Sequence, residues 1–255
     1  MYEWLPPDVE LSPHTSAADW VVSRLRPWEQ SPVSVASYMP DVFERYARIL
    51  HPAGDRGGES VGLAWLSVAA RLNKPFHPEA QFQELVGGDL SRHEILGDVQ
   101  PLAGSLPITT LRSLVAFLRN WTSADDPCWF AMWDGNGTWW KGSHGPLGGH
   151  RSAPEARIDD ERDAVLRHAP RVRGVSRDYF LMRGPLSSVV ELFHAAGSQS
   201  PALWWPQRRS WLVSTEVDAY SSYVGAPADL IMELLRSTDI EAVPARLEAP
   251  LDWGI

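Results

Sequence analysis

The sequence predicts an α+β fold, with a helical N-terminal portion packed on a mainly antiparallel sheet. Three observations carry this. In the first half, apolar residues recur at helical spacing, as at Leu111, Leu114, Val115 and Leu118. After Asp125-Asp126-Pro127 the pattern changes to short apolar-aromatic runs separated by turn signals. The second half also contains two segments that read alike, each a strand, a turn and an amphipathic helix. Residues 1–124 therefore form a mainly helical portion and 125–255 an α+β sheet portion. No linker of convincing length separates them, so one compact unit is expected.

Residues 1–17 carry Pro6, Pro7 and Pro13 and show no period, which predicts an extended arm with Trp4 and Leu5 tucked against the body. Ala17 to Leu25 predicts a helix ended near Pro27. Asp41 with Glu44 three residues on looks like a capping box. Val42, Phe43, Tyr46, Ile49 and Leu50 follow at helical spacing, so a helix is expected up to His51-Pro52. Ala53 to Ser60 reads as a loop. Val61 to Leu72 is apolar on most sides and predicts a buried helix. A short helix from His77 to Leu85 closes at Gly87-Gly88, and residues 88–106 read as an irregular connection. Pro107 to Trp121 has proline at its first turn and reads as a further helix.

Cys128 to Trp133 (CWFAMW) predicts a buried strand. Asp134-Gly135-Asn136-Gly137 is a turn signal, and Thr138 to Trp140 reads as a return strand. A glycine-rich loop, Gly142 to Ser152, leads into a locally basic stretch that is helical over Asp159 to Leu166. Then follow a strand from Asp178 to Arg183, a helix from Leu186 to Ala196, strands at Leu203 to Trp205, Ser210 to Val217 and Tyr223-Val224, and a helix from Ala228 to Leu235. Tyr179 to Phe193 and Tyr223 to Leu235 are the segments that read alike. Each follows a tryptophan-bearing strand with an acidic end, at Asp134 and at Asp218. Either a strand–strand–helix unit is duplicated, which makes Asp134 and Asp218 equivalent, or two such segments share this much by chance.

Composition bounds the function. The 255 residues carry a formal net charge of −9, which argues against a nucleic-acid binder that works by neutralising phosphates. It favours a basic partner. A single cysteine, Cys128, excludes an intrachain disulfide. No apolar run approaches the roughly 20 residues of a membrane span, and the acidic, proline-bearing start is unlike a signal peptide. A soluble, cytoplasmic protein is expected, with neither a nucleic-acid nor a membrane partner.

Catalytic motifs are scarce. His93-Glu94 opens like a zinc-protease helix, but Gly97 stands where the second histidine belongs. His144 and His150 have no cysteine pair to support them, so no metal is expected. The glycines around Lys141 are in the wrong order for a phosphate loop, and no G-x-G-x-x-G follows a strand, so no cofactor is expected either. Cys128 opens an apolar strand and reads as a core thiol.

The most chemically loaded stretch is Ser200 to Ser237. Along Ser210 to Asp218, alternation puts Trp211, Val213, Thr215 and Val217 on a core face. Leu212, Ser214, Glu216 and Asp218 fall on a more polar one. Glu216 and Asp218 are the candidate acid–base pair. Trp204, Trp205, Arg208, Arg209 and Asp134 are the candidate ligand- or partner-binding residues. The plainer alternative is a set of salt bridges on a solvated sheet face. With the pattern Trp204-Trp205-Pro206-x-x-Arg209-x-Trp211-x-Val213-x-Thr215-Glu216-x-Asp218, followed by Tyr223-Val224-Gly225, the chain resembles uncharacterised proteins of actinobacterial type. His51-Pro52, His77-Pro78 with Gln81-Phe82, and Cys128-Trp129-Phe130 with Trp133-Asp134-Gly135 are similar to the same set. The resemblance covers most of the chain but implies no activity, cofactor or catalytic residue.

Two functions follow as expectations. One is a binding protein, immunity- or antitoxin-like, that acts on a basic protein partner through an acidic patch with exposed aromatics. The other is a hydrolase for a glycan or another polar substrate, using Glu216 and Asp218 in a tryptophan-lined cleft.

Overall fold

The computed structural model describes residues 2–29, 33–54, 62–87, 100–140 and 153–252. The His93-Glu94 motif, His144, His150, and the glycine-rich loop up to Ser152 lie outside them, as does most of the Ala53 to Ser60 loop. Among the described residues, one nine-stranded sheet organises the chain. Its strands are β1 (Glu10–Leu11), β2 (Arg45–Leu50), β3 (Cys128–Trp133), β4 (Val172–Arg173), β5 (Asp178–Gly184), β6 (Leu203–Pro206), β7 (Leu212–Thr215), β8 (Ser221–Ala226) and β9 (Ala242–Pro244). They lie in the order β1-β5-β3-β6-β7-β8-β2-β9, with β4 beside β5. Every pairing is antiparallel. The fold is α+β.

Seven α-helices are described: α1 (Asp19–Val22), α2 (Trp65–Arg71), α3 (Phe82–Val86), α4 (Ile108–Leu118), α5 (Ala153–His168), α6 (Val189–Ala195) and α7 (Ala228–Leu234). The sheet is buried on both faces. On one, Phe130, Phe180, Trp204, Val213 and Val224 meet apolar side chains of α4, α6 and α7. On the other, Leu181, Trp205, Leu212 and Tyr223 are covered by the N-terminal segment around Trp20, Val35 and Met39, and by Leu247 and Leu251 of the tail. A third cluster gathers α2 and α3 around Trp65, Phe82 and Tyr220.

The strand expected over Cys128 to Trp133 and the helix after Pro107 form as their patterns predict. β3 pairs with β5 ahead of α6, and β7 pairs with β8 ahead of α7. The two strand–strand–helix segments flank β6 and send their helices to the same face. They differ in the link between their strands, which is a tight turn in one and holds α5 and β4 in the other.

Three elements depart from expectation. Residues 45–50 form a strand, not a helix, and pair with β8 over six residues. The apolar run there fits either period, and tertiary pairing decides. Glu44 does cap a helix, but a distant one: its Oε2 accepts the Ala228 N–H of α7 at 2.9 Å. Thr138 to Trp140 belong to a short 3-10 turn rather than a return strand, because the Asn136 side chain accepts the Thr138 N–H at 3.0 Å. α5 begins at Ala153, well before Asp159.

Candidate functional site

Glu216 and Asp218 follow β7 at one end of the sheet. The alternation read from the sequence holds, but the face carrying Leu212, Ser214 and Glu216 is not solvated. It is buried beneath the N-terminal segment and the tail. Glu216 is 3% exposed. Its Oε1 accepts from Arg177 Nε at 3.2 Å, and its Oε2 accepts the backbone N–H of Asp218. Arg177 also donates to Asp218 Oδ2 at 2.6 Å. The guanidinium lies 5.8 Å from the ring centroid of Trp28 and 5.6 Å from that of Trp133.

Burial pushes the Glu216 carboxyl above its ordinary range, against the opposing pull of the Asp218 N–H and Arg177. Burial also works against the charge on Arg177, but Glu216 and then Asp218 hold its pKa above the ordinary arginine value. Burial, then the charge of Glu216, raises Tyr38 and Tyr179. The arrangement is an ion cluster under aromatic cover, tying Arg177 to the end of β7. Sequence spacing could not reveal Arg177, which is 39 residues from Glu216.

The other expected site residues are dispersed. Trp204 and Trp205 are core residues, at 0% and 1% exposure, and face opposite sides of the sheet. Trp204 meets Trp211 edge-on at 5.3 Å, and Trp205 meets Trp20 at 5.9 Å. Neither lines a cleft among the described residues. Arg208 and Arg209 lie on the exposed turn between β6 and β7, at the end of the sheet opposite Glu216. Seven strand-like steps from Arg209 to Glu216 put them roughly 20 Å apart. Glu216 and Asp218 therefore pair with Arg177 and not with Arg208 or Arg209. Asp134 accepts from Arg171 Nε at 3.1 Å, and that guanidinium packs 4.1 Å from the centroid of Phe180.

The Arg209 end of the sheet is where side chains meet open space. Cross-strand register lines up Glu10, Arg183, Trp129 and Trp205 in one row on one face. Three neighbouring clefts follow this end, of about 310, 460 and 340 Å³. The first is lined by Asp8, Glu10, Asp125 and Arg183. The second shares Glu10 and Arg183 with it and adds Trp129, Gln207 and Arg209. The third shares Arg209 and adds Trp20, Val42, Phe43, Pro227 and the carboxylate-bearing Glu44. The seven strands from β1 to β2 lie about 4.8 Å apart, so the groove crosses on the order of 29 Å. It runs from an acidic end, past two arginines, to a mainly apolar end that also carries Glu44 and where Val42 is 44% exposed. Of the expected residues only Arg209 belongs to it. Trp129 and Arg183 escaped notice because only the register of β3 against β5 makes them neighbours.

Other chemistry is absent or sealed among the described residues. No group of three or more His, Cys, Asp or Glu side chains stands ready for a metal. No described helix is long and apolar enough to cross a membrane. Cys128 is buried, and burial pushes its thiol up to about 12. His51 touches Ser222 Oγ at 2.8 Å through Nε2 and the Leu102 carbonyl at 2.7 Å through Nδ1. Both side chains are fully buried, and burial pushes the imidazole down to about 4. This contact is a satisfied polar link in the core rather than a reachable nucleophile. Comparison with family models, curated proteins and solved structures returns no match to this chain.

Proposed function

We propose that this chain is a cytoplasmic binding protein, immunity- or antitoxin-like, whose groove receives a basic segment of a partner protein. The observation that carries this reading is the acidic end of the groove. Asp8, Glu10 and Asp125 are exposed and line one cleft, and no ion pair engages them among the described residues. They continue into Trp129, Trp20 and Phe43, which offer apolar contact. An acidic patch beside accessible aromatics suits a lysine- or arginine-bearing segment, by steering and by contact. The net charge of −9 adds long-range attraction. The single cysteine fits a reducing compartment.

The hydrolase reading rests on the raised carboxyl of Glu216, the property a general acid needs. Against it, Glu216 is covered, Arg177 occupies both of the candidate carboxylates, and neither lines a described cleft. The binding reading is tested with two decapeptides, one alternating lysine and serine, the other glutamate and serine, using tryptophan fluorescence. The lysine peptide is expected to bind, to weaken as salt rises toward about 0.5 M, and to lose roughly tenfold in the D8N/E10Q/D125N variant. Equal binding of both peptides, or an unaffected variant, overturns the reading.

A further inference from the structure

The middle of the groove has a chemistry its acidic end does not explain. Arg183 and Arg209 line the same cleft of about 460 Å³. Neither has a carboxylate partner among the described residues. Glu10 stands directly across from Arg183 on β1, yet no ion pair joins them. The Arg183 guanidinium lies instead 5.7 Å from the ring centroid of Trp129. Arg209 is 5.4 Å from that of Trp20. Stacking on a tryptophan face holds a guanidinium in place while leaving its N–H edge free to donate. Gln207 lines the same cleft. Its Oε1 accepts from Trp129 Nε1 at 2.7 Å, which orients the amide and leaves its NH₂ for another acceptor.

Arg209 also takes an uncommon backbone conformation. Its φ is 57°, in the left-handed region that non-glycine residues seldom occupy. Its N–H closes the turn on the Pro206 carbonyl at 2.8 Å, and the Gln207 N–H is tied to the Pro127 carbonyl at 2.8 Å. Two guanidiniums, each against a tryptophan ring, and an oriented amide thus line one cleft in a chain of net negative charge.

We propose that Arg183, Arg209 and Gln207 form a carboxylate subsite in the middle of the groove. A carboxylate matches the planar guanidinium edge, and its single negative charge tolerates Glu10 on the same cleft better than a phosphate would. The subsite rests on the binding reading above and sharpens it. The bound segment carries basic residues toward Asp8 and Asp125, one carboxylate at the arginine pair, and an apolar residue toward Phe43. That carboxylate is either an acidic side chain or the end of a chain, and the test separates the two.

Three peptides share a lysine-rich start and a leucine near the other end. The first has glutamate at its centre and an amidated end. The second has glutamine there and an amidated end. The third has glutamine and a free terminal carboxylate. Calorimetry with the wild-type chain is expected to give a roughly tenfold preference for one carboxylate-bearing peptide over the glutamine amide. A preference for the first marks a side chain, and for the third a chain end. The preference is expected to vanish in R183Q/R209Q while the glutamine amide still binds. Equal affinity of all three for the wild type overturns the subsite and leaves the basic-partner reading standing. No binding by any peptide overturns both. The wild-type comparison needs no variant, so it decides even if R183Q/R209Q fails to fold.

Discussion

A carboxylate taken out of water stays charged only if cations and donors replace the solvent. Glu216 has one cation, Arg177, and one backbone donor, and these fall short of offsetting its burial. Arg177 is 26% exposed at its side chain and holds the cluster together by reaching both carboxylates. Arg177→Ala leaves Glu216 buried without its cation and is expected to destabilise the fold by about 2–4 kcal/mol in urea denaturation. Asp218→Asn, at a side chain 36% exposed, is expected to change stability by less than about 1 kcal/mol. Comparable losses for the two variants would remove the buried-pair account. The pairing of Glu216 and Asp218 on one side of a strand was legible from alternation. Their partner was not, because an arginine's reach across a fold leaves no mark in local spacing.

At the scale of elements, β8 shows what a strand needs in order to pass beneath another segment. Gly225 sits opposite Leu212 on one side and Tyr46 on the other. A Cβ there would lie 2.4 Å from Phe43 Cδ2 and 2.9 Å from Met39 Sδ. The glycine of the Tyr223-Val224-Gly225 pattern therefore makes room for the segment that covers the sheet beside the groove. Gly225→Ala is expected to cost about 1–3 kcal/mol through overpacking. Combining it with Phe43→Ala should recover part of that loss, read as a coupling energy in a double-mutant cycle. Strict additivity would place the strain elsewhere. The same face explains why β2 carries apolar residues at helical spacing. Tyr46 faces the cover and Ala47 the helices, a two-sided burial that mixes apolar residues at both periods. By contrast α4 buries one stripe and keeps a clean helical pattern.

For the whole molecule, the tail closes the structure. Asp252 forms a buried ion pair with Arg48 at 3.0 Å, and Arg48 also donates to the carbonyls of Pro78 and Ala80. Asp252 accepts the Phe82 N–H at 3.2 Å, so one side chain ties the tail to β2 and α3. Burial pushes the Asp252 carboxyl up to about 6, against the pull of Arg48 and the Phe82 N–H. The folded state then holds the proton more tightly than the unfolded chain. That stabilisation is full below the ordinary carboxyl pKa and is lost as pH rises through about 6. Relative to Asp252→Asn, wild-type stability is expected to fall between about pH 4 and pH 6 by up to ~3 kcal/mol. Parallel pH profiles for the two chains would show that Asp252 stays charged throughout, held by Arg48.

By itself the sequence determined the α+β class, most strands after Pro127 and the helices after Pro107 and Pro227. In these the apolar period and the proline and glycine punctuation point the same way, and local physics suffices. It also determined which side chains of β7 share a face. Only the tertiary structure decided whether that face meets water. The tryptophans that made Leu203 to Trp211 conspicuous went into the core, because a sheet covered on both sides buries both of its residue sets. The groove came instead from Glu10, Trp129, Arg183 and Arg209, brought together from four separate segments by strand register and one tight turn.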